Sequence, residues 1–248
     1  EEKQEEKQEE KQEEKQEEEE NVKCTISNNK ISSGLWKEYF PNKYSEIVYN
    51  DDIECTFTLI IELIEGTKPK TIYEIKQDLL FEYRKYSEYS NEIIDILITE
   101  GKEIDCKRII NNEITFEEYL MSEYYYLTVF DLWLLIKRYN LNVIFLSYSK
   151  SLTKIHYTQL KENKFIANGN LDDQFIHIVI PTFVKNKLPY YSIILDETGL
   201  NKIMLKDDMY YLFEPDYKKE IIEYLKTYVK YTIKKTFKKI SKKKLIEL

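Results

Sequence analysis

Glycine, histidine and cysteine are scarce in this 248-residue chain, which has five, two and three of them. No P-loop, no dinucleotide-type glycine turn and no His-Glu-x-x-His pattern occurs. Carboxylates are plentiful, but none stand out as a matched catalytic pair, so no cofactor is implied. The three cysteines, Cys24, Cys55 and Cys106, are far apart, odd in number and form no Cys-x-x-Cys pair. That pattern argues against a disulfide framework and a cysteine-rich zinc site, and predicts a reducing, cytoplasmic setting. No apolar run reaches the length needed to span a bilayer, and the opening residues carry no signal-peptide pattern.

What is present is charge, unevenly placed, and aromatic bulk. Residues 1–16 are four copies of Glu-Glu-Lys-Gln, and four more glutamates complete the first twenty positions. Twelve Glu against four Lys give that stretch a net charge of −8, the whole of the chain's formal total. A four-residue period stacks like charge over like charge at i,i+4, and no apolar stripe exists to dock a helix. Residues 1–23 are therefore expected to be a disordered or transiently helical tail. Because the chain opens on Glu inside a repeat, it is expected to be a fragment or the processed end of a longer polypeptide. Residues 218–248 are the opposite, with eleven Lys against three Glu, a net of +8. The 22 tyrosines, with many Lys, Asn and Ile, suggest an AT-rich genome and resemble the composition of large-DNA-virus proteins. A host cytoplasm or a virion is the setting that follows.

Between these ends, residues 24–214 read as one α/β domain. Gly34 to Pro41 reads as a loop and short helix. A helix is expected from Cys55 to about Glu65, closed by Gly66-Thr67-Lys68-Pro69. Ile72, Ile75, Leu79, Tyr83 and Tyr86 recur at helical spacing and predict a helix over 71–87. A further helix over 91–99 stops at Gly101. Thr115 with Glu118, and Thr128 with Asp131, are capping-box patterns that open two more helices. Asn140 is placed to close the second in the left-handed conformation. Val143 to Leu146 reads as a buried strand, and strands are expected at 155–160, 175–180, 190–195 and 209–213. Helices first and strands late predict a mixed α/β fold with a largely sequential sheet. Residues 215–248, with Pro215 in the first turn, predict a basic amphipathic helix. Its apolar stripe is Ile221, Leu225, Val229, Ile233, Phe237 and Ile240. Lys226, Lys230, Lys234, Lys238 and Lys242 run beside that stripe.

The segment Asp52-Ile53-Glu54-Cys55-Thr56-Phe57 puts a cysteine at the first turn of a helix, where backbone N–H groups and the helix dipole favour a thiolate. It resembles the nucleophile segment of the OTU family of cysteine deubiquitinases, usually Asp-Gly-Asn-Cys-x-Phe. Here Ile53 and Glu54 stand in place of Gly and Asn. The likeness runs from about residue 45 to 195. Ile75-Lys76-Gln77-Asp78-Leu79-Leu80 is similar to the family's next helix. The helix at 128–139 and the strand after it resemble a recurrent unit of the family. Tyr190-Tyr191-Ser192 resembles the close of the catalytic domain, where the family carries His-Tyr-Asp or His-Tyr-Asn. The resemblance implies OTU-like helices packed on a small central sheet, with Cys55 and Asp52 at the catalytic position.

Tyr190 then stands where the base belongs, and Ser192 where its orienting partner belongs. A phenol with a pKa near ~10 is a poor base at neutral pH. Two readings follow. A binding module without hydrolase activity would take a protein partner, ubiquitin-like or viral. An active protease would recruit His177, or His156, as base, since triads are defined by geometry and not by order. His177 sits among alternating Ile and Val, where an ordinary strand histidine is the commoner outcome, and the same holds for His156. Cys55 has a plain alternative too, as a core cysteine. The lysine-rich helix has three readings: packing on the domain with solvated lysines, binding nucleic-acid phosphates, or lying on an anionic membrane. Tyr124-Tyr125-Tyr126 reads either as a stacking platform for bases or as a tether of the next helix to the core.

Overall fold

The structure is a computed structural model that describes residues 26–30, 44–50, 52–64, 70–146, 164–168, 175–182, 188–204 and 220–232. Strands β1 (Ile26–Lys30) and β2 (Ser45–Tyr49) precede helix α1 (Ile53–Leu63). Five helices follow with no strand between them: α2 (Ile72–Lys85), α3 (Ser90–Thr99), α4 (Glu103–Ile110), α5 (Phe116–Met121) and α6 (Val129–Arg138). Strands β3 (Val143–Leu146), β4 (Lys164–Asn168), β5 (Phe175–Thr182), β6 (Tyr190–Leu195) and β7 (Ile203–Met204) come next, and α7 (Ile221–Thr232) closes the described part. The fold is mixed α/β.

Three threonines start three of these helices by one mechanism. Thr71, Thr115 and Thr128 each accept a hydrogen bond from the backbone N–H three residues on, and the carboxylate there accepts one from the threonine's own N–H. Two otherwise orphaned helix-end donors are satisfied at each site. Left-handed residues follow three of the helices. Asn112 (φ 59°) follows α4 and Asn140 (φ 51°) follows α6, while Gly101 (φ 101°) separates α3 from α4. At Gly101 a Cβ would also sit 3.0 Å from the Tyr126 hydroxyl.

The sheet order is β1-β2-β6-β5-β3-β4, with β7 pairing the start of β5. All the pairings are antiparallel except β3 with β5. This corrects the expected sequential sheet. Among the described residues the chain builds helices and no strand between β2 and β3, and the open side of β2 is filled by β6. Alternation assigns the two faces. Tyr49, Val143, Phe145, Val179, Tyr191 and Ile193 join the helices in one core. Ile144, Leu146, Ile178, Ile180, Ser192 and Ile194 point the other way and are buried as well. Burial on both faces is why Ile178-Val179-Ile180 runs apolar without alternation.

Trp133 and Phe130 of α6 receive the start of α7: their ring centroids lie 5.5 and 6.4 Å from that of Tyr224. Ile221 and Leu225 are buried beside it, and Lys137 pairs with Glu220 at 3.0 Å. Glu220 is outside the helix and α7 starts at Ile221, while Pro215 lies outside the described residues. Arg138 ties α6 to α2 through Asp78 (2.6 Å) and Glu82 (2.9 Å). Burial pushes the Asp78 carboxyl up, yet hydrogen bonds from Lys70, Tyr139 and Arg138 outweigh it and hold it below its ordinary value. The 1–23 tail, the 34–41 loop and the strands expected at 155–160 and 209–213 lie outside the described residues.

Candidate functional site

Helix α1 begins as its residues dictate. Asp52, exposed and extended (φ −111°), caps it by accepting a hydrogen bond from Glu54 N at 3.0 Å. Cys55 lies in the first turn and is 0% exposed. It is disulfide-bonded, whereas Cys106 is a free, buried thiol. Of the three cysteines this leaves Cys24, which lies outside the described residues. The expectation of a disulfide-free chain is therefore corrected. Pairing depends on which sulfurs the fold brings together, and the spacing of cysteines along the chain does not report it. The expected reducing setting rested on unpaired cysteines and loses that support. No described helix is long and apolar enough to cross a membrane.

Around Cys55 the polar atoms are already engaged. Thr56 Oγ1 donates to Ile53 O at 2.7 Å and accepts from Leu127 N at 2.9 Å. The Tyr191 hydroxyl donates to Leu127 O at 2.8 Å. One peptide segment is thus held between the first turn of α1 and strand β6.

The expected catalytic residues lie on two elements: Asp52 and Cys55 at the start of α1, and His177 on β5. Tyr49, at the end of β2 that leads into α1, faces Tyr191 across the strands, so Cys55 starts its helix at the Tyr190 end of the sheet. Thr182 pairs with Tyr190 at that same end. His177 is five residues back along β5, roughly 17 Å at about 3.4 Å per residue. Its Nδ1 is 2.9 Å from Asn201 O, so that nitrogen carries the proton and donates. Burial lowers the His177 pKa, the bond to Asn201 opposes this, and Lys202 adds to the lowering. His156 lies outside the described residues. Alternation also puts Tyr190 and Ser192 on the face opposite Tyr191 and Ile193, the face that joins the helical core. Position by position, Tyr191 is the residue turned toward α1, and its hydroxyl is spent on Leu127.

The densest polar cluster lies on the helices, and the sequence gives no sign of its centre. Lys102 and Asp131 are both 0% exposed, with Nζ and Oδ2 3.3 Å apart. Asp131 Oδ1 accepts from Tyr83 (2.5 Å) and Tyr125 (2.8 Å), and Oδ2 accepts from Thr128 N (2.8 Å) and Oγ1 (2.9 Å). Lys102 donates to Tyr126 O at 2.7 Å, and its ammonium lies 3.1 Å from the Tyr125 ring centroid. The rings of Tyr119 and Tyr126 stand farther out. Burial lowers the Lys102 pKa to about 8 against the pull of Asp131, and raises those of Tyr83 and Tyr125 well above the ordinary value. Burial also pushes the Cys106 thiol up to about 12. With both charged side chains fully buried, this cluster joins α2, α5 and α6 to the start of α4 and to the 125–128 segment. Tyr125 is a tether to the core, while Tyr124 is exposed.

Among the described residues no group of three or more His, Cys, Asp or Glu is placed to hold a metal ion. Of the five lysines beside the C-terminal stripe, Lys226 is exposed on α7, and the side chains of Lys230, Lys234, Lys238 and Lys242 lie outside the description. No protein-family model, curated protein or solved structure matches the chain.

Proposed function

We propose that the chain is a protein-binding module with an OTU-like order of elements and no hydrolytic centre. The observation that carries this reading is the state of Cys55: it is buried and disulfide-bonded, beside a sheet end that offers tyrosine. A cysteine nucleophile needs a thiolate and a base within hydrogen-bonding reach. A disulfide sulfur has no thiolate, and His177 is at the far end of β5. The partner is a protein, ubiquitin-like or viral, and the acidic tail serves as a spacer from a longer chain.

Ubiquitin carrying a C-terminal propargyl group tests this directly, because it traps an active-site thiolate covalently. No adduct is expected with the protein as isolated or after reduction by dithiothreitol. An adduct that forms after reduction and disappears in Cys55→Ala would establish a hydrolase and overturn the proposal. Titration of unmodified ubiquitin then addresses the partner: saturable binding supports the ubiquitin-like class, and its absence removes that class.

A further inference from the structure

We infer that His177 pins the excursion between β6 and β7 to the sheet, and that acid loosens the pin. The two strands are one line of chain with a loop thrown out of it. Phe175 O accepts from the Asn142 side chain and His177 N donates to Asn142 O, so both face β3. The backbone groups of Ile176 face the other edge of β5, where β6 pairs with Val179 to Thr182 and β7 with Phe175 and Ile176. Continuing the register Val179↔Ile193 brings Leu195 opposite His177. Continuing Ile176↔Ile203 brings Lys202 opposite the same residue. Residues 196–201 therefore leave and rejoin the sheet at His177.

The excursion holds its own shape. Asp196 Oδ1 accepts from Thr198 N (2.8 Å), Thr198 Oγ1 (2.7 Å) and Leu200 N (2.9 Å), while Asp196 N donates to Leu200 O (2.8 Å). Gly199, at φ 85°, makes the left-handed turn inside this closure. Those bonds are internal to 196–200. Attachment to β5 runs through the His177 bond to Asn201 O at 2.9 Å and through β7, which is two residues long with Ile203 buried. The imidazole suits this place only while it is neutral. It is 7% exposed, and Lys202 opposite it is the charged group acting on it. The Asp196 carboxylate is bound to its own loop, and β3 presents the uncharged Asn142. A proton on His177 would bury a second positive charge beside the lysine. The bond to Asn201 O survives protonation and keeps the effect modest, but burial and Lys202 outweigh it, so the folded value lies below the ordinary 6.5. With the segment open and His177 in water, the proton binds more readily. The pin therefore contributes in full above pH 6.5 and progressively less below it. In acid, residues 201–204 open more often and leave the β5 edge at Ile176 unpaired.

Two measurements on the full chain test the pin. The chain has two histidines, so in His156→Gln the remaining imidazole signal in a proton NMR titration is that of His177. Its midpoint is expected below 6.5, the ordinary value. Hydrogen exchange, corrected for the intrinsic pH dependence of amides, reads the loop itself. Protection over 199–204 is expected to fall at least about threefold between pH 7 and pH 5, while 191–195 keeps its protection. In His177→Gln, which still has a side-chain N–H but no titrating group, 199–204 should be equally protected at both pH values. A His177 midpoint at or above 6.5 would overturn the inference, as would the same acid-induced loss in His177→Gln. A loss shared equally by 191–195 would be global unfolding, and the pin would be refuted in that case too.

Discussion

Asp131→Asn is expected to lower folding stability by about 3–5 kcal/mol, the range for removing one partner of a buried ion pair. The change is nearly isosteric, so the loss would come from taking away the carboxylate that is paired with the Lys102 ammonium. Lys102→Met should cost less, because Asp131 keeps donors from Tyr83, Tyr125 and Thr128. Urea denaturation of both variants gives the order, and a larger loss in Lys102→Met would contradict this account of the cluster. pH supplies an independent handle. The folded-state pKa of Lys102, about 8, lies below its ordinary 10.5, so the unfolded chain binds more protons between those values. Stability from this group therefore rises with pH across that window and is lowest below pH 8. Buried Tyr83 and Tyr125 have raised values, so above about pH 10 the unfolded chain loses protons first and stability falls again. Lys102→Met should abolish the rise and leave the fall.

Leu225→Ala is expected to cost about 2–5 kcal/mol, as for a large-to-small change in a packed core. Leu225 is fully buried where α7 meets α6, beside the Tyr224–Trp133 contact. Lost packing there should free the start of α7 and speed tryptic cleavage after Lys226, which limited proteolysis would detect. A loss below about 0.5 kcal/mol, the level of an ordinary surface substitution, would mean that α7 does not dock. The outcome bears on the basic segment too, since a docked Ile221–Leu225 face leaves Lys226 pointing to solvent.

Much of the helical part was legible in the sequence because its signals are local. The capping boxes at Thr115 and Thr128, the helix over 72–85 and the left-handed Asn140 all follow from a few neighbouring residues. Helix α4 escaped notice because only Cys106 and Ile109 of its eight residues are buried, too few to make a readable stripe. Strands β1 and β2 were missed for a related reason, since Ile-Ser-Asn-Asn-Lys and Ser-Glu-Ile-Val-Tyr lack a marked alternation. Long-range facts were illegible. The insertion of β6 between β2 and β5, the disulfide at Cys55 and the burial of Lys102 depend on what meets in space. Strand β6 was legible, but which of its residues face the helices required the register with β2.

The central claim is that Cys55 is a structural sulfur and not a nucleophile in waiting. Alkylation of the denatured, unreduced protein with iodoacetamide, followed by peptide mass spectrometry, tests it most directly. The account predicts one modified cysteine, Cys106, and three after prior reduction. Alkylated Cys55 in the unreduced sample would contradict it and return the thiol to the candidate site.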